Sequence, residues 1–104
     1  MKIPEKINIS GHEIKIEQPE YVLDGNQEAC VGMAYLLQDR IEIAQKWNGV
    51  GVSEDTKGEA LIHEAIHHID SKYSIGLKEK QVEKLGSGFY HFLKDNKIYC
   101  GEVG

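Results

Sequence analysis

The segment His63-Glu64-Ala65-Ile66-His67 constrains the fold most, because its two histidines can act together only if the segment is a helix. Side chains four residues apart lie on one face of an α-helix, one turn apart, so both imidazoles can face one metal ion. Glu64 lies off that line and can contact a water molecule on the metal without binding the metal. This H-E-x-x-H spacing is typical of zinc sites in which the glutamate is a general base.

The residues around this motif predict the helix that it needs. Thr56 and Glu59 have the spacing of a capping box, which indicates a helix start. Apolar residues then recur at helical spacing as far as Ile69, and Gly76 is expected to end the helix. The sequence therefore predicts a buried helix with one polar stripe that opens on a cleft.

Composition limits the class of protein. The 104 residues, of which 40% are hydrophobic and 28% charged, predict one soluble domain over residues 1–104. The net charge of −5 argues against a nucleic-acid surface, and no apolar run approaches the roughly 20 residues of a membrane helix. The first residues lack the apolar core of a signal peptide. Cys30 and Cys100 lie far apart and fit reduced thiols, so we expect a cytoplasmic protein with no nucleic-acid or membrane partner.

The first half of the chain is predicted to form strands. Apolar and polar residues alternate on both sides of Ser10-Gly11, which predicts a hairpin. Cys30–Leu37 fits a strand or a helix; we favour a strand, because the residues 40–44 after it alternate cleanly and would complete a second hairpin. The predicted fold class is α+β, with a small N-terminal antiparallel sheet of hairpins packed on the H-E-x-x-H helix and on a second, C-terminal helix.

The second helix is expected over residues 77–95. Its buried stripe is predicted to consist of five apolar side chains: Val82, Leu85, Phe89, Phe92 and Leu93. Gly86 and Gly88 each disfavour a helix interior by about 1 kcal/mol, so a helix that keeps them is expected to approach another helix closely. Glu79, Glu83 and Gly86 share one face, and the glycine would bring Glu83 to the partner helix.

A catalytic zinc commonly has three protein ligands and keeps its fourth position for water. His63 and His67 supply two, and the candidates for the third are Glu83, Glu79 and Asp70. Asp70 is too near His67 in the chain to complete a tetrahedron, so we expect it to hydrogen bond to a metal-bound histidine instead. We favour Glu83 as the third ligand, with Glu79 as the alternative. A closed structural zinc site is disfavoured, because no C-x-x-C pair is present.

The two segments 63–70 and 83–93 together resemble the ImmA/IrrE metallopeptidases, especially their short phage-encoded forms. That family pairs H-E-x-x-H with a downstream helix of the form E-x-x-A-N-x-F-A-x-x-L. In this pattern Glu83 matches the family's glutamate ligand, whereas Gly86-Ser87 stands where Ala-Asn is usual. The resemblance covers residues 32–96. It implies a zinc peptidase, with a helix-turn-helix repressor of a phage or mobile element as the substrate.

The motif residues themselves support metal-assisted hydrolysis of a protein or peptide. Glu64 would take the proton of the attacking water and deliver it to the leaving amine. The strand that contains Ile41 and Ile43 is expected to be a sheet edge on which an extended substrate pairs. The donor for the oxyanion remains open among four residues: His68, His91, Tyr73 and Tyr90.

A second class of function is also compatible with the sequence. The chain could bind zinc and recognise a repressor or another protein without cleaving it, because a domain this small has no obvious segment for substrate specificity.

Overall fold

The computed structural model describes residues 2–98, which form an α+β fold and confirm the predicted class. Eight short strands are followed by two helices: β1 (Lys6–Ile9), β2 (His12–Glu17), β3 (Val22–Leu23), β4 (Ala29–Cys30), β5 (Gly32–Tyr35), β6 (Arg40–Ile43), β7 (Lys46–Trp47), β8 (Val50–Gly51), α1 (Glu54–Tyr73) and α2 (Glu79–Asp95). Cys100 lies outside the described residues. Within residues 2–98, neither helix has both the length and the apolar character that crossing a membrane requires.

The main sheet has the strand order β1-β2-β6-β5. Both expected hairpins form, β1 with β2 and β5 with β6, each antiparallel. The first turns at Ser10 and Gly11, both with positive φ, as a two-residue hairpin turn requires. The hairpins join through a parallel pairing of β2 with β6, in which Ile16 lies opposite Ile41. The sheet is therefore mixed rather than wholly antiparallel.

This order corrects the expected position of the sheet edge. The strand with Ile41 and Ile43 is β6, and it lies between β2 and β5, so its backbone groups are already used on both sides. The edge beside α1 is β5 instead. Alternation within a strand predicts which face is buried but carries no information about which neighbour lies on either side.

The core lies between this sheet and α1. Alternate residues of β2 and β6 point inward, and Leu61 of α1 packs on them, so the cluster includes Ile14, Ile16, Ile41, Ile43 and Leu61. Each is at most 6% exposed. Burial of one such side chain contributes about 1.5–3 kcal/mol, so this cluster fixes α1 on the sheet.

Helix α1 confirms that the motif is helical, but its start differs from the expected one. The Ser53 hydroxyl accepts a hydrogen bond from the Thr56 N–H at 3.1 Å, so Ser53 is the cap and Thr56 lies inside the helix. The capping box at Thr56 and Glu59 was therefore wrong, because a serine three residues earlier satisfies the free N–H group first. The helix ends at Tyr73, and Ser74 adopts the left-handed conformation.

Helix α2 buries a different face from the predicted stripe. It begins at Glu79, and its buried residues are Val82, Gly86 and Tyr90. Three members of the predicted stripe are instead on the outside, at 40, 51 and 55% exposure: Leu85, Phe89 and Phe92. The buried row is narrow because its central residue is glycine, which lets the two helix backbones approach.

Gly86 confirms the close approach that its place in a helix predicted. A Cβ atom built on Gly86 would lie 3.3 Å from the Cα atom of His63, a backbone atom of α1. Gly88, two residues on, would meet nothing within 4 Å. Only one of the two glycines is therefore required by packing.

Leucine at these two positions should have opposite effects. Gly88→Leu should raise the free energy of unfolding by up to about 1 kcal/mol, because leucine favours helix and the site is open. Gly86→Leu should lower it by about 1–3 kcal/mol, because the side chain must push α2 away from His63. Urea denaturation of both variants measures the difference, and equal effects would contradict the close approach.

Candidate metal centre

The turn between α1 and α2 is tied to α1 by one carboxylate. Oδ1 of Asp70 accepts hydrogen bonds from the N–H groups of Gly76 at 2.7 Å and Leu77 at 3.1 Å. The Asp70 carbonyl also accepts from the N–H groups of Ser74 and Ile75. Asp70 was expected to hydrogen bond to a metal-bound histidine, but its carboxylate is used to hold this turn.

The opposite ends of the two helices are joined by a second acidic residue. Asp55, in the first turn of α1, accepts from the Tyr90 hydroxyl at 2.6 Å and from Lys94 Nζ at 2.8 Å. Hydrogen bonds from Lys94 and then Tyr90 lower the pKa of Asp55. The helices therefore form an antiparallel pair that is tied at both ends and packed tightly at Gly86.

Three side chains meet between these helices. Glu79 places Oε1 at 2.8 Å from His63 Nε2 and Oε2 at 3.1 Å from His67 Nε2. One ligand atom from each residue can be chosen so that all lie within 4.8 Å of one another. The group could therefore hold a metal ion, and both imidazoles are about three-quarters buried, at 21 and 26% side-chain exposure.

Of the two glutamates considered as the third ligand, the structure brings Glu79 to the histidines. Glu79 is the first residue of α2, where the turn held by Asp70 delivers the chain next to the end of α1. Glu83 lies one turn later, is exposed, and lines a cavity with His63 and Glu64. Both glutamates lie on the same side of α2, so their relative distance from the histidines depends on where α2 begins.

Glu64 lies beside this group and faces β5. It is 8% exposed, and a Cβ atom on Gly32 would come within 3.0 Å of its Oε2 atom. Within residues 2–98 its carboxylate has no hydrogen-bond or ion-pair partner. Burial, and then the charge of Glu79, raise the pKa of Glu64 to about 8. A carboxyl group with a pKa near neutrality can both take and return a proton.

Two cavities open along β5 on either side of Glu64. The larger, of about 470 Å³, lies beside Val31 and Gly32, and the smaller, of about 170 Å³, lies beside Met33 and Ala34. Glu64 lines both. They form a cleft along the edge strand. The sequence pattern did not assign β5 to this site, although a glycine within a strand often marks such a close approach.

The four candidates for oxyanion stabilisation lie elsewhere in the described part of the chain. None lines either cavity beside Glu64: His68, Tyr73, Tyr90 and His91. His68 is fully buried, with Nε2 at 3.1 Å from the Arg40 carbonyl, so it joins α1 to β6. Burial lowers the pKa of His68, in keeping with a neutral structural imidazole.

No protein-family model matches the chain, and no curated protein or solved structure matches it significantly. The resemblance to the ImmA/IrrE metallopeptidases therefore stays a prediction from the sequence. The features that indicate a metal centre are the three side chains that meet between the helices and the buried Glu64 residue beside them.

Replacement of each glutamate in turn should identify the third ligand. Glu79→Gln should lower zinc retention by at least about tenfold, because a neutral amide is a poor zinc ligand. Glu83→Gln should leave retention within about twofold, because its carboxylate lies outside the group. Elemental analysis after dialysis against a weak chelator measures both, and loss of zinc only in the Glu83 variant would contradict the assignment.

Glu64 should give the metal-free protein a characteristic pH dependence. Its folded pKa is raised above the unfolded value of 4.5 to about 8, so between these values the folded state binds more protons than the unfolded state. Stability should therefore fall as pH rises through that range, by up to about 1.4 kcal/mol per pH unit relative to Glu64→Gln. Urea denaturation with chelator at pH 5, 6, 7 and 8 checks this, and parallel curves for the two proteins would contradict it.

Proposed function

We propose that this protein is a zinc-dependent metallopeptidase that hydrolyses peptide bonds in an extended segment lying along β5. The proposal is based on one observation. His63, His67 and Glu79 converge from two helices, and the buried carboxylate of Glu64 lies beside them without a partner among residues 2–98.

The donor set fits zinc. Two imidazole nitrogens and one carboxylate are a common ligand set for catalytic zinc, and they leave a position open. One ligand atom from each of His63, His67 and Glu79 lies within 4.8 Å of the other two, so the three side chains are close enough together to share one ion.

When bound, zinc would lower the pKa of a water molecule toward about 7 and polarise the carbonyl of the substrate. Glu64 takes the proton from the attacking water and returns it to the amine of the departing peptide. The absence of a side chain at Gly32 leaves the Glu64 carboxylate room against the edge strand.

An extended peptide is the kind of substrate that this cleft accommodates. Within residues 2–98, β5 lies at the edge of the sheet and pairs with β6 on one side only, so backbone groups on its other side can bind another strand. The Glu64 carboxylate faces Gly32 of β5, so a peptide on this edge passes directly beside the proposed base. A phage or mobile-element repressor remains the proposed substrate protein, supported by the sequence resemblance.

A zinc-binding domain that recognises a protein without cleaving it is the second candidate. One observation favours it: three large apolar side chains of α2 face outward, at 40, 51 and 55% exposure, namely Leu85, Phe89 and Phe92. Exposed apolar side chains grouped on one helix are typical of protein-binding surfaces.

Replacement of Glu64 by glutamine tests the peptidase. Zinc-loaded protein is incubated with a proteome-derived peptide mixture, prepared by cleavage after glutamate so that lysine and arginine remain internal, and new termini are identified by mass spectrometry. Glu64→Gln should keep its zinc and cleave at least about 100-fold more slowly, because the general base is lost. Glu28→Gln, an exposed change away from the cleft, should cleave like the wild type.

Undiminished cleavage by the Glu64→Gln protein would remove Glu64 from the mechanism. Zinc-loaded wild-type protein that cleaves neither the peptide mixture nor a panel of purified phage repressors would overturn the peptidase proposal in favour of the second candidate.

A further inference from the structure

The larger cavity beside Glu64 is acidic. Among its described lining residues there are three glutamates and neither lysine nor arginine: Glu59, Glu64 and Glu83. Glu64 lies deep in the cavity, whereas Glu59 of α1 and Glu83 of α2 lie nearer solvent, on the two helices that flank its mouth.

We propose that this cavity is a subsite for a positively charged side chain, lysine or arginine, of the residue next to the scissile bond. This proposal rests on the peptidase function and names a feature of its substrate. Glu59 and Glu83 are then specificity residues, and neither takes part in the chemistry.

The place of the cavity sets which substrate residue enters it. His63 and Glu64 line the same cavity as Glu59 and Glu83. A side chain that occupies it therefore belongs to a residue adjacent to the bond that Glu64 serves. At about 470 Å³ the cavity is large enough for a long side chain that keeps its charged end near the mouth.

Both carboxylates near the mouth can bind a cation. Within residues 2–98, Glu83 has no hydrogen-bond or ion-pair partner, and the contact of Glu59 is with His91 Nε2 at 3.8 Å. Glu64 distinguishes this cavity from an ordinary acidic surface, because the residue is only 8% exposed, has no hydrogen-bond or ion-pair partner within residues 2–98, and lines the cavity. An ammonium or guanidinium group in the outer part of the cavity would meet the opposite charges of Glu59 and Glu83, and no lysine or arginine is among the described lining residues.

The smaller cavity, on the other side of Glu64, has a more apolar lining. Met33, Ala34 and Leu36 line it, together with Glu64 and His67. The two sides of the cleft therefore differ in preference, one for a cationic side chain and the other for an apolar one.

The direction of β5 determines which side of the cleft holds the substrate residues before the scissile bond and which side holds those after it. Antiparallel pairing is slightly more stable than parallel pairing, so the substrate should run opposite to β5. Its residues after the scissile bond then lie over Val31 and Gly32, beside the acidic cavity. The cationic residue is the first after the cleaved bond, and the apolar residue precedes it.

A matched pair of inhibitors tests the subsite without relying on cleavage. Both are peptide hydroxamates that bind zinc and place one side chain on the side after the scissile bond, lysine in one and norleucine in the other. Norleucine keeps the hydrocarbon stem and lacks the ammonium group. Calorimetric titration of zinc-loaded protein should give about 5- to 10-fold tighter binding of the lysine compound, as expected for two partly exposed ion pairs.

Variants assign that preference to the two carboxylates. In the double variant Glu59→Gln/Glu83→Gln, the ratio of the dissociation constants of the norleucine and lysine compounds should fall to about one, while binding of the norleucine compound stays unchanged. Glu54→Gln removes a charge from α1 at a residue outside the cavity lining and should keep the wild-type ratio. Zinc content and thermal unfolding of each variant show that it is folded and loaded.

The outcomes separate this proposal from the one on which it rests. Wild-type protein that retains no zinc would overturn the peptidase and the subsite together. Zinc-loaded protein that binds both hydroxamates equally would overturn only the cationic subsite. A lysine preference that persists in the double variant would also overturn it, because the charge would then be recognised elsewhere.

Discussion

The hydrogen bonds that the Asp70 carboxylate accepts from the turn after α1 determine how the two helices meet. They fix the chain at Gly76 and Leu77, so α2 can begin at Glu79, directly opposite the two histidines. Gly86 then lets α2 lie against the backbone of α1 at His63. A carboxylate that touches neither histidine thereby sets which glutamate faces them.

The sequence predicts the parts of this site that depend on local periodicity. The helical motif and the place of Gly86 in a close approach follow from residue spacing along one helix. The choice between Glu79 and Glu83 does not, because it depends on the residue at which α2 begins, and that residue is set by the turn. The buried face of α2 was also assigned wrongly. Hydrophobicity favours the row with Leu85 and Phe89, whereas close packing of backbones favours the row with Gly86.

The order of strands in the sheet also depends on contacts that local sequence patterns do not predict. Alternation identified both hairpins, since that pattern is local to each strand. The parallel contact between β2 and β6 joins residues far apart in the chain, so no local pattern predicts it. The sheet edge expected at β6 is therefore at β5 in the described residues. Gly32 was the available signal, because a strand glycine permits the close approach that the Glu64 carboxylate makes.

The proposed zinc ligands are divided between two helices, and this division would link metal supply to the lifetime of the protein. A metal held by α1 and α2 together cross-links the helix pair, so its binding free energy adds to the free energy of folding. Under zinc starvation that contribution would be lost, and α2 would be held on α1 by its buried row, by its terminal hydrogen bonds and by the contacts of Glu79 with the two histidines. Cellular proteases that sample open states would then degrade the metal-free chain faster than the loaded one. Abundance, and not only activity, would follow the availability of zinc.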